Sequence, residues 1–279
     1  MTENNRKQQI KSIFSEVASG YDNAAMRYFP FCADKLMSLL KPGAGQKLLD
    51  VATGTGAVAI AAAQLLVPEG RVTAIDFSET MLNQAEKNIT KMGLSNVDLH
   101  VMDAESLEFR KDYFDYVVCS FGLFFLDDMA AGLNQWARVC RPGGKIAFTS
   151  FGSEAFKPMI EMFIEQAKQY GIESEKERKP LAIELLTDPE KCKACLENAG
   201  LGNCSVQTEQ MGYHLGKADE WWDIVWNSGL RGTIMQLPQD KLGQFKHEHL
   251  AEVEKLRGKD GIFLNVQTHF SSALKPVVH

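Results

Sequence analysis

Asp50-Val51-Ala52-Thr53-Gly54-Thr55-Gly56 closes one apolar run, Lys47–Ala52, and opens another, Val58–Leu66. The first run is short and bounded by glycines, as a buried strand is; the second is Ala-rich and long enough for a helix. Between them the glycines let the backbone approach a ligand without a Cβ in the way. A strand, a Gly-rich turn and a helix in that order place a ligand at the carboxyl end of a parallel sheet.

Outward from this turn the pattern repeats. Arg71–Asp76 reads as a second strand, followed by a helix from Ser78, a good N-cap, to about Met92. Val97–Asp103 and Phe114–Ser120 read as the third and fourth strands. A helix over about Met129–Val139, a turn at Arg141-Pro142-Gly143-Gly144 and a fifth strand at Lys145–Ser150 follow. Five strand–helix cycles with right-handed crossovers demand an α/β doubly wound, mainly parallel sheet. Upstream, Ile10, Ile13, Phe14 and Val17 mark an amphipathic helix over 6–20, and a second helix spans about 31–40, stopped by Pro42 and Gly43. Downstream, helices are expected at about 155–170 and 188–199, a strand at Cys204–Met211, a mostly helical stretch over 218–257 and a last strand at Ile262–His269. This gives three expected parts: an N-terminal helical lid (1–42), an α/β core (43–154), and late strands completing a seven-stranded sheet with a helical cap inserted between them (155–279).

Strand ends carry the chemistry. Asp76 lies 22 positions after Gly54 (76 − 54), near the offset at which an acid accepts from both hydroxyls of a ribose. Asp103 suits an adenine exocyclic amine, with the Ala104 N–H toward a ring nitrogen. Gly54–Ala59 also fits the G-x-G-x-x-G/A pattern of dinucleotide binders, so a nicotinamide cofactor is an open alternative on the turn alone.

The run from Lys47 to Phe151 resembles the class I S-adenosylmethionine-dependent methyltransferases, in Leu48–Gly56, Val72–Met81, Met102–Ala104, Phe114–Leu123 and Arg138–Phe151. It is most similar to the ubiquinone/menaquinone-biosynthesis C-methyltransferase group, through Phe14 to Tyr21-Asp22, Ala74–Leu82, Ser120–Leu123 and Arg138–Gly144. Ala52 stands where many members have a glycine, and after Phe151 the group's C-terminal signature gives way to extra helical sequence. The resemblance implies a Rossmann-like methyltransferase fold and S-adenosyl-L-methionine as cofactor, with S-adenosyl-L-homocysteine as product. It implies that Ala52, Thr53, Gly54 and Gly56 run along the methionine moiety and that Asp50 orients its amino group. Asp76 would bind the ribose, Phe77 and Met81 would flank the adenine, and Asp103 and Ala104 would read its edge. Ser120 and Phe121 would line the sulfonium end, and Tyr21 would close over it. The expected reaction is an in-line methyl transfer to carbon or oxygen of a small, apolar or aromatic acceptor, without a metal. A binding protein that keeps this fold without catalysis is a further alternative.

His214, between the late strand and the cap, is the candidate base. His100 and His269 read as structural. Trp221, Trp222 and Trp226 read either as cap core or as an acceptor wall. Cys192 and Cys195 share one helix face by the helical period. The charged run Glu173–Lys179 reads as a solvated face.

Composition bounds the rest. A chain that is 45% hydrophobic and 24% charged is neither disordered nor fibrous. Its net charge of −6 lacks the basic footprint of a nucleic-acid binder, so none is expected as partner. Its apolar runs fall short of the ~20 residues of a membrane span, and the polar start, Met1–Lys7, leads into no signal core. A cytoplasmic enzyme with a small-molecule acceptor is expected; a homodimer is left open.

Overall fold

The computed structural model describes residues 3–172 and 182–277. The charged run Glu173–Lys179 lies outside them. The strands, in chain order, are β1 (Lys47–Val51), β2 (Arg71–Asp76), β3 (Val97–Val101), β4 (Phe114–Ser120), β5 (Cys140–Phe151), β6 (Gly202–Gln210), β7 (Tyr213–Leu215), β8 (Ile262–Leu264) and β9 (Gln267–Leu274). The helices are α1 (Glu3–Val17), α2 (Tyr28–Leu40), α3 (Ala57–Leu66), α4 (Glu79–Lys91), α5 (Met129–Val139), α6 (Met159–Gln169), α7 (Ala182–Leu185), α8 (Pro189–Asn198), α9 (Ala218–Trp226), α10 (Arg231–Ile234) and α11 (Gln239–Glu254).

Among the described residues, seven strands make one sheet in the order β3-β2-β1-β4-β5-β9-β6. The first five pair in parallel, and β9 runs antiparallel to both β5 and β6. Chain order reverses between β1 and β4, the switch point at which a crevice opens beyond the strand ends. Leu48, Leu49, Val51, Val117, Val118, Ile146 and Phe148 are fully buried, because helices cover both faces of the sheet. Ala59, Ala62 and Ala63 let α3 lie close on that sheet. Helix starts follow their caps: Ser78 Oγ accepts from the Met81 N–H, Asp128 from the Ala131 N–H and Asp188 from the Glu190 N–H.

Three expectations are corrected. Ile262–His269 is not one strand. Asn265 and Gln210 break it: the Gln267 N–H donates to Asn265 Oδ1 (3.1 Å) and the Val266 N–H to Gln210 Oε1 (2.8 Å). Side chains thus replace ladder partners at a corner, after which β8 pairs with β7 in a separate ribbon while β9 enters the main sheet. Arg141–Gly144 is not a turn before the fifth strand but an excursion inside β5. Phe114 faces Cys140 and Tyr116 faces Lys145, with Gly143 at φ +75°. Segment 1–42 is not one lid. Cys32, Ala33, Leu36, Met37 and Leu40 of α2 belong to the main core, and the lid over the strand ends is α1 with the turn that carries Tyr21 and Asp22.

A second core lies in the cap, where Trp221, Phe163, Phe245 and Val253 pack with Met26 and Tyr28 from the N-terminal part. Trp221 Nε1 donates to His249 Nε2 at 2.8 Å inside it.

Candidate active site

A cleft opens beyond the carboxyl ends of β1, β2, β3 and β4. Its floor is the turn after β1. Ala52 (φ +55°) and Gly54 (φ +56°) both hold the left-handed conformation, and a Cβ built on Gly54 would meet nothing within 4 Å. Gly54 therefore presents bare backbone to open space.

Asp76, only 5% exposed, ties the floor to the second strand. Its Oδ2 accepts from the Gly54 N–H and its Oδ1 from the Ser78 N–H, both at 2.9 Å. Burial pushes its pKa up to about 6, against the pull of those two N–H groups. Asp50 is 1% exposed and stands behind the lining. Its Oδ2 accepts from Thr53 Oγ1 at 2.6 Å, whereas its Oδ1 is buried without a partner. Burial raises its pKa to about 7, opposed by the Thr53 hydroxyl and by the nearby backbone N–H of Ala59. Thr53 and Gly56 also shape the floor from behind rather than lining it.

The third strand end contributes Met102, Asp103 and Ala104 to the lining. Trp136 Nε1 donates to the Ala104 carbonyl (3.0 Å), which pins this loop to α5. Phe77 and Met81, at the start of α4, line the same side.

At the fourth strand end, Phe121 is held at φ +54°. Its N–H donates to Thr149, at 3.2 Å from the carbonyl and 3.1 Å from Oγ1, and its ring stacks on Phe151 at 4.3 Å. A bulky residue in this conformation is strained; here the strain directs the ring into the cleft. Ser120 and Tyr21 complete that wall, Tyr21 stacking on Phe29 at 5.0 Å.

Helix α1 forms the roof with Lys7, Ile10 and Phe14. Lys7 Nζ lies 2.9 Å from Asp103 Oδ2 and 2.5 Å from Glu105 Oε2. Burial works against the ammonium, but these two carboxylates outweigh it and hold its pKa above the ordinary value. Arg6 reaches Asp127, Ser15 meets the Ser78 hydroxyl at 2.9 Å, and Phe14 packs edge-on against Phe125 at 5.0 Å.

The structure thus brings Tyr21, Ala52, Gly54, Asp76, Phe77, Met81, Asp103, Ala104, Ser120 and Phe121 to one cleft. Lys7, Glu105, Phe125 and Leu126 were missed, Ile10 was read only as part of a helix stripe, and Phe14 as part of that stripe and of the family-like N-terminal segment. Nothing marks an isolated lysine on an amphipathic helix as facing two acids a hundred positions away.

His214 requires correction as the candidate base. Tyr213 and Leu215 turn inward from β7, so alternation points His214 outward; its side chain is exposed beside Phe263 and outside the cleft lining. Trp221 and Trp222 are cap core, not acceptor wall. His269 is buried and bonded to Thr208 and the Thr187 carbonyl, while His100 lies exposed on β3. Cys192 and Cys195 sit on α8, facing the main core.

Comparison with known proteins agrees with this geometry. The family model described as the ubiE/COQ5 methyltransferase family matches residues 1–213, well past Phe151, where the likeness read from the sequence ended. Aklanonic acid methyltransferase DauC of Streptomyces sp. (strain C5) is 35% identical over 150 residues, covering 54% of this chain and 68% of that protein. The ubiquinone/menaquinone biosynthesis C-methyltransferase UbiE of Francisella philomiragia is 28% identical over 238 residues, 83% of this chain and 90% of that protein. Among solved structures, the YcgJ protein of Bacillus subtilis superposes with a TM-score of 0.58 at 18% identity, covering 89% of this chain and all of that one, a likeness of fold. The nicotinamide alternative is not favoured. The chain belongs to the ubiE/COQ5 methyltransferase family and is an enzyme of the S-adenosylmethionine-dependent methyltransferase class.

Proposed function

We propose that this protein methylates carbon on a planar, quinone-related small molecule, with S-adenosylmethionine bound in the cleft beyond β1–β4. The observation that carries the reading is the buried, unpartnered Oδ1 of Asp50 behind a turn whose Gly54 leaves open space. A buried carboxylate oxygen without a partner is costly; an ammonium reaching it, directly or through water, would remove the cost. Asp76 would accept from the ribose hydroxyls with its remaining lone pairs, Phe77 and Met81 would enclose the adenine, and Asp103 would meet its amine.

When bound, S-adenosylmethionine supplies a methyl group on a positively charged sulfur. The chain's own residues orient and enclose. Phe121 and Tyr21 offer ring faces near that charge, each such contact favourable by roughly 0.5–2 kcal/mol. Ile10, Phe14, Phe125 and Leu126 give the cleft an apolar side suited to a flat ring system and keep water from the reacting pair. Alignment of acceptor carbon, methyl and sulfur is then the main contribution to rate. The names of the relatives, one acting on aklanonic acid and one in ubiquinone/menaquinone biosynthesis, support a ring-bearing acceptor.

The test is formation of S-adenosylhomocysteine with a panel of demethylated quinols, anthraquinone acids and simple phenols, with mass analysis of the product. Carbon-methylated quinone-type product is expected. Tight S-adenosylhomocysteine binding with no turnover on any ring acceptor would reject the acceptor class.

A further inference from the structure

Two walls of the cleft come from separate parts of the chain: Tyr21, just after α1, and the Gly54-Thr55-Gly56 turn. With glycines at φ +56° and +92° on either side of Thr55, that turn has little rigidity of its own. Asp22, which the proposed chemistry does not use, sits where the walls meet. Its Oδ1 accepts from Thr55 Oγ1 at 2.5 Å, and its Oδ2 accepts from Asn88 Nδ2 at 2.8 Å and Gln84 Nε2 at 3.2 Å. Asn88 Nδ2 also donates to the Thr55 carbonyl at 3.0 Å. Thr55 is therefore gripped at its hydroxyl and its carbonyl, by one residue from the lid and one from α4, while its own side chain is 5% exposed.

We propose that Asp22 is a positioning residue for the methyl donor: it clamps the glycine turn to the lid tyrosine, so that both walls of the methionine slot are set before the donor arrives. A charge-assisted bond to a hydroxyl, with a second carboxylate oxygen held by two amides, fixes direction as well as distance. Asp22, Thr55 and Asn88 are themselves outside the cleft lining and bond to none of Ile10, Phe125 and Leu126 on the expected acceptor side, so the main effect falls on the donor. This inference rests on the donor reading given above.

The experiment is calorimetry with S-adenosylhomocysteine, together with steady-state kinetics in both substrates, on the full chain. Asp22→Asn places an amide N–H₂ against Thr55 or Asn88. Its donor Kd and KM are expected to rise roughly tenfold, the size of one lost charge-assisted bond, with acceptor KM unmoved. Thr55→Val is expected to match it, Thr55→Ser to retain wild-type affinity, and the double variant Asp22→Asn/Thr55→Val to be no worse than either alone. A merely structural role would lower the melting temperature without splitting donor KM from acceptor KM. Failure of the wild-type protein to bind S-adenosylhomocysteine would overturn the donor reading and this inference with it. Wild-type binding with donor affinity in Asp22→Asn within twofold of it, or fully additive single effects, would overturn the clamp alone. Should Asp22→Asn not fold, the Thr55→Val and Thr55→Ser pair decides: equal, undiminished affinity in both rejects the clamp.

Discussion

Asp50→Asn is expected to move stability and ligand binding in opposite directions. Burial takes the Asp50 carboxyl from an ordinary 3.8 to about 7. That is a shift of roughly three units, or about 4 kcal/mol against the ionised form in the ligand-free fold. The folded chain holds this proton more tightly than the unfolded chain does. The stability it confers is thus complete below about pH 4 and is lost as pH rises towards about 7. Asparagine keeps the size and the bond from Thr53 while removing the charge. It leaves an amide N–H₂ in the place of the unpartnered oxygen, at a cost of about 1–3 kcal/mol. At pH 8 the ligand-free variant should gain roughly 1–3 kcal/mol over wild type, and the gain should vanish by pH 5, where the wild-type carboxyl is already protonated. S-adenosylhomocysteine should bind the variant at least tenfold more weakly, because the ammonium loses its counter-charge. Urea denaturation at the two pH values and calorimetry at pH 8 measure both arms. A variant that is no more stable at pH 8, yet binds as wild type does, would refute the view of Asp50 as a buried charge waiting for a cationic ligand.

Other substitutions probe the remaining parts. Asp76→Ala should weaken S-adenosylhomocysteine binding about tenfold or more with the circular-dichroism spectrum unchanged; undiminished affinity by calorimetry would count against the ribose assignment. Lys7→Met removes the roof's ion pairs to Asp103 and Glu105. Such half-exposed pairs are each worth under about 1 kcal/mol, so ligand release by stopped flow should quicken a few-fold and become less sensitive to salt; an unchanged rate would remove the latch. Trp221→Phe leaves His249 unpartnered in the cap core, where burial holds its pKa down at about 4. It should cost about 1–3 kcal/mol in denaturation while sparing ligand affinity. His214→Ala should leave turnover unchanged, and a large loss would restore the histidine to the site.

Most of the cleft lining was readable because its residues sit where chain pattern and chemistry change together. Asp50, Asp76, Asp103 and Ser120 each interrupt or end an apolar strand, and no packing argument calls for an acid at three neighbouring strand tips. The sheet was readable for the same reason, through β5 and again at β6, where a strand was expected at Cys204–Met211. Beyond it, the strand-like stretch Ile262–His269 hid a corner that Asn265 and Gln210, meeting across the fold, create. His214 was misplaced by the same error: without the β7–β8 ribbon, which way its side chain points could not be decided. Lys7 and Asp22 act through partners 96 and 33 positions away, and local periodicity carries no trace of such pairings.

The acceptor side is silent in sequence for a further reason, which bears on how selectivity is built. Cap and N-terminal segment meet through glycine backbone as well as through side chains such as the Arg231–Glu16 ion pair. A Cβ on Gly20 would overlap Asn227, one on Gly232 would come within 3.0 Å of Ile13, and Gly229 lies against Phe125 of the cleft wall. Such contacts ask only for the absence of a side chain, so no motif records them. They nevertheless bring the 227–232 stretch close to α1 at Ile13 and to Phe125. On the function proposed above, the strand tips would select the methyl donor, and a side chain placed at Gly20 or Gly232 would press the 227–232 stretch away from the N-terminal segment while leaving donor affinity unchanged.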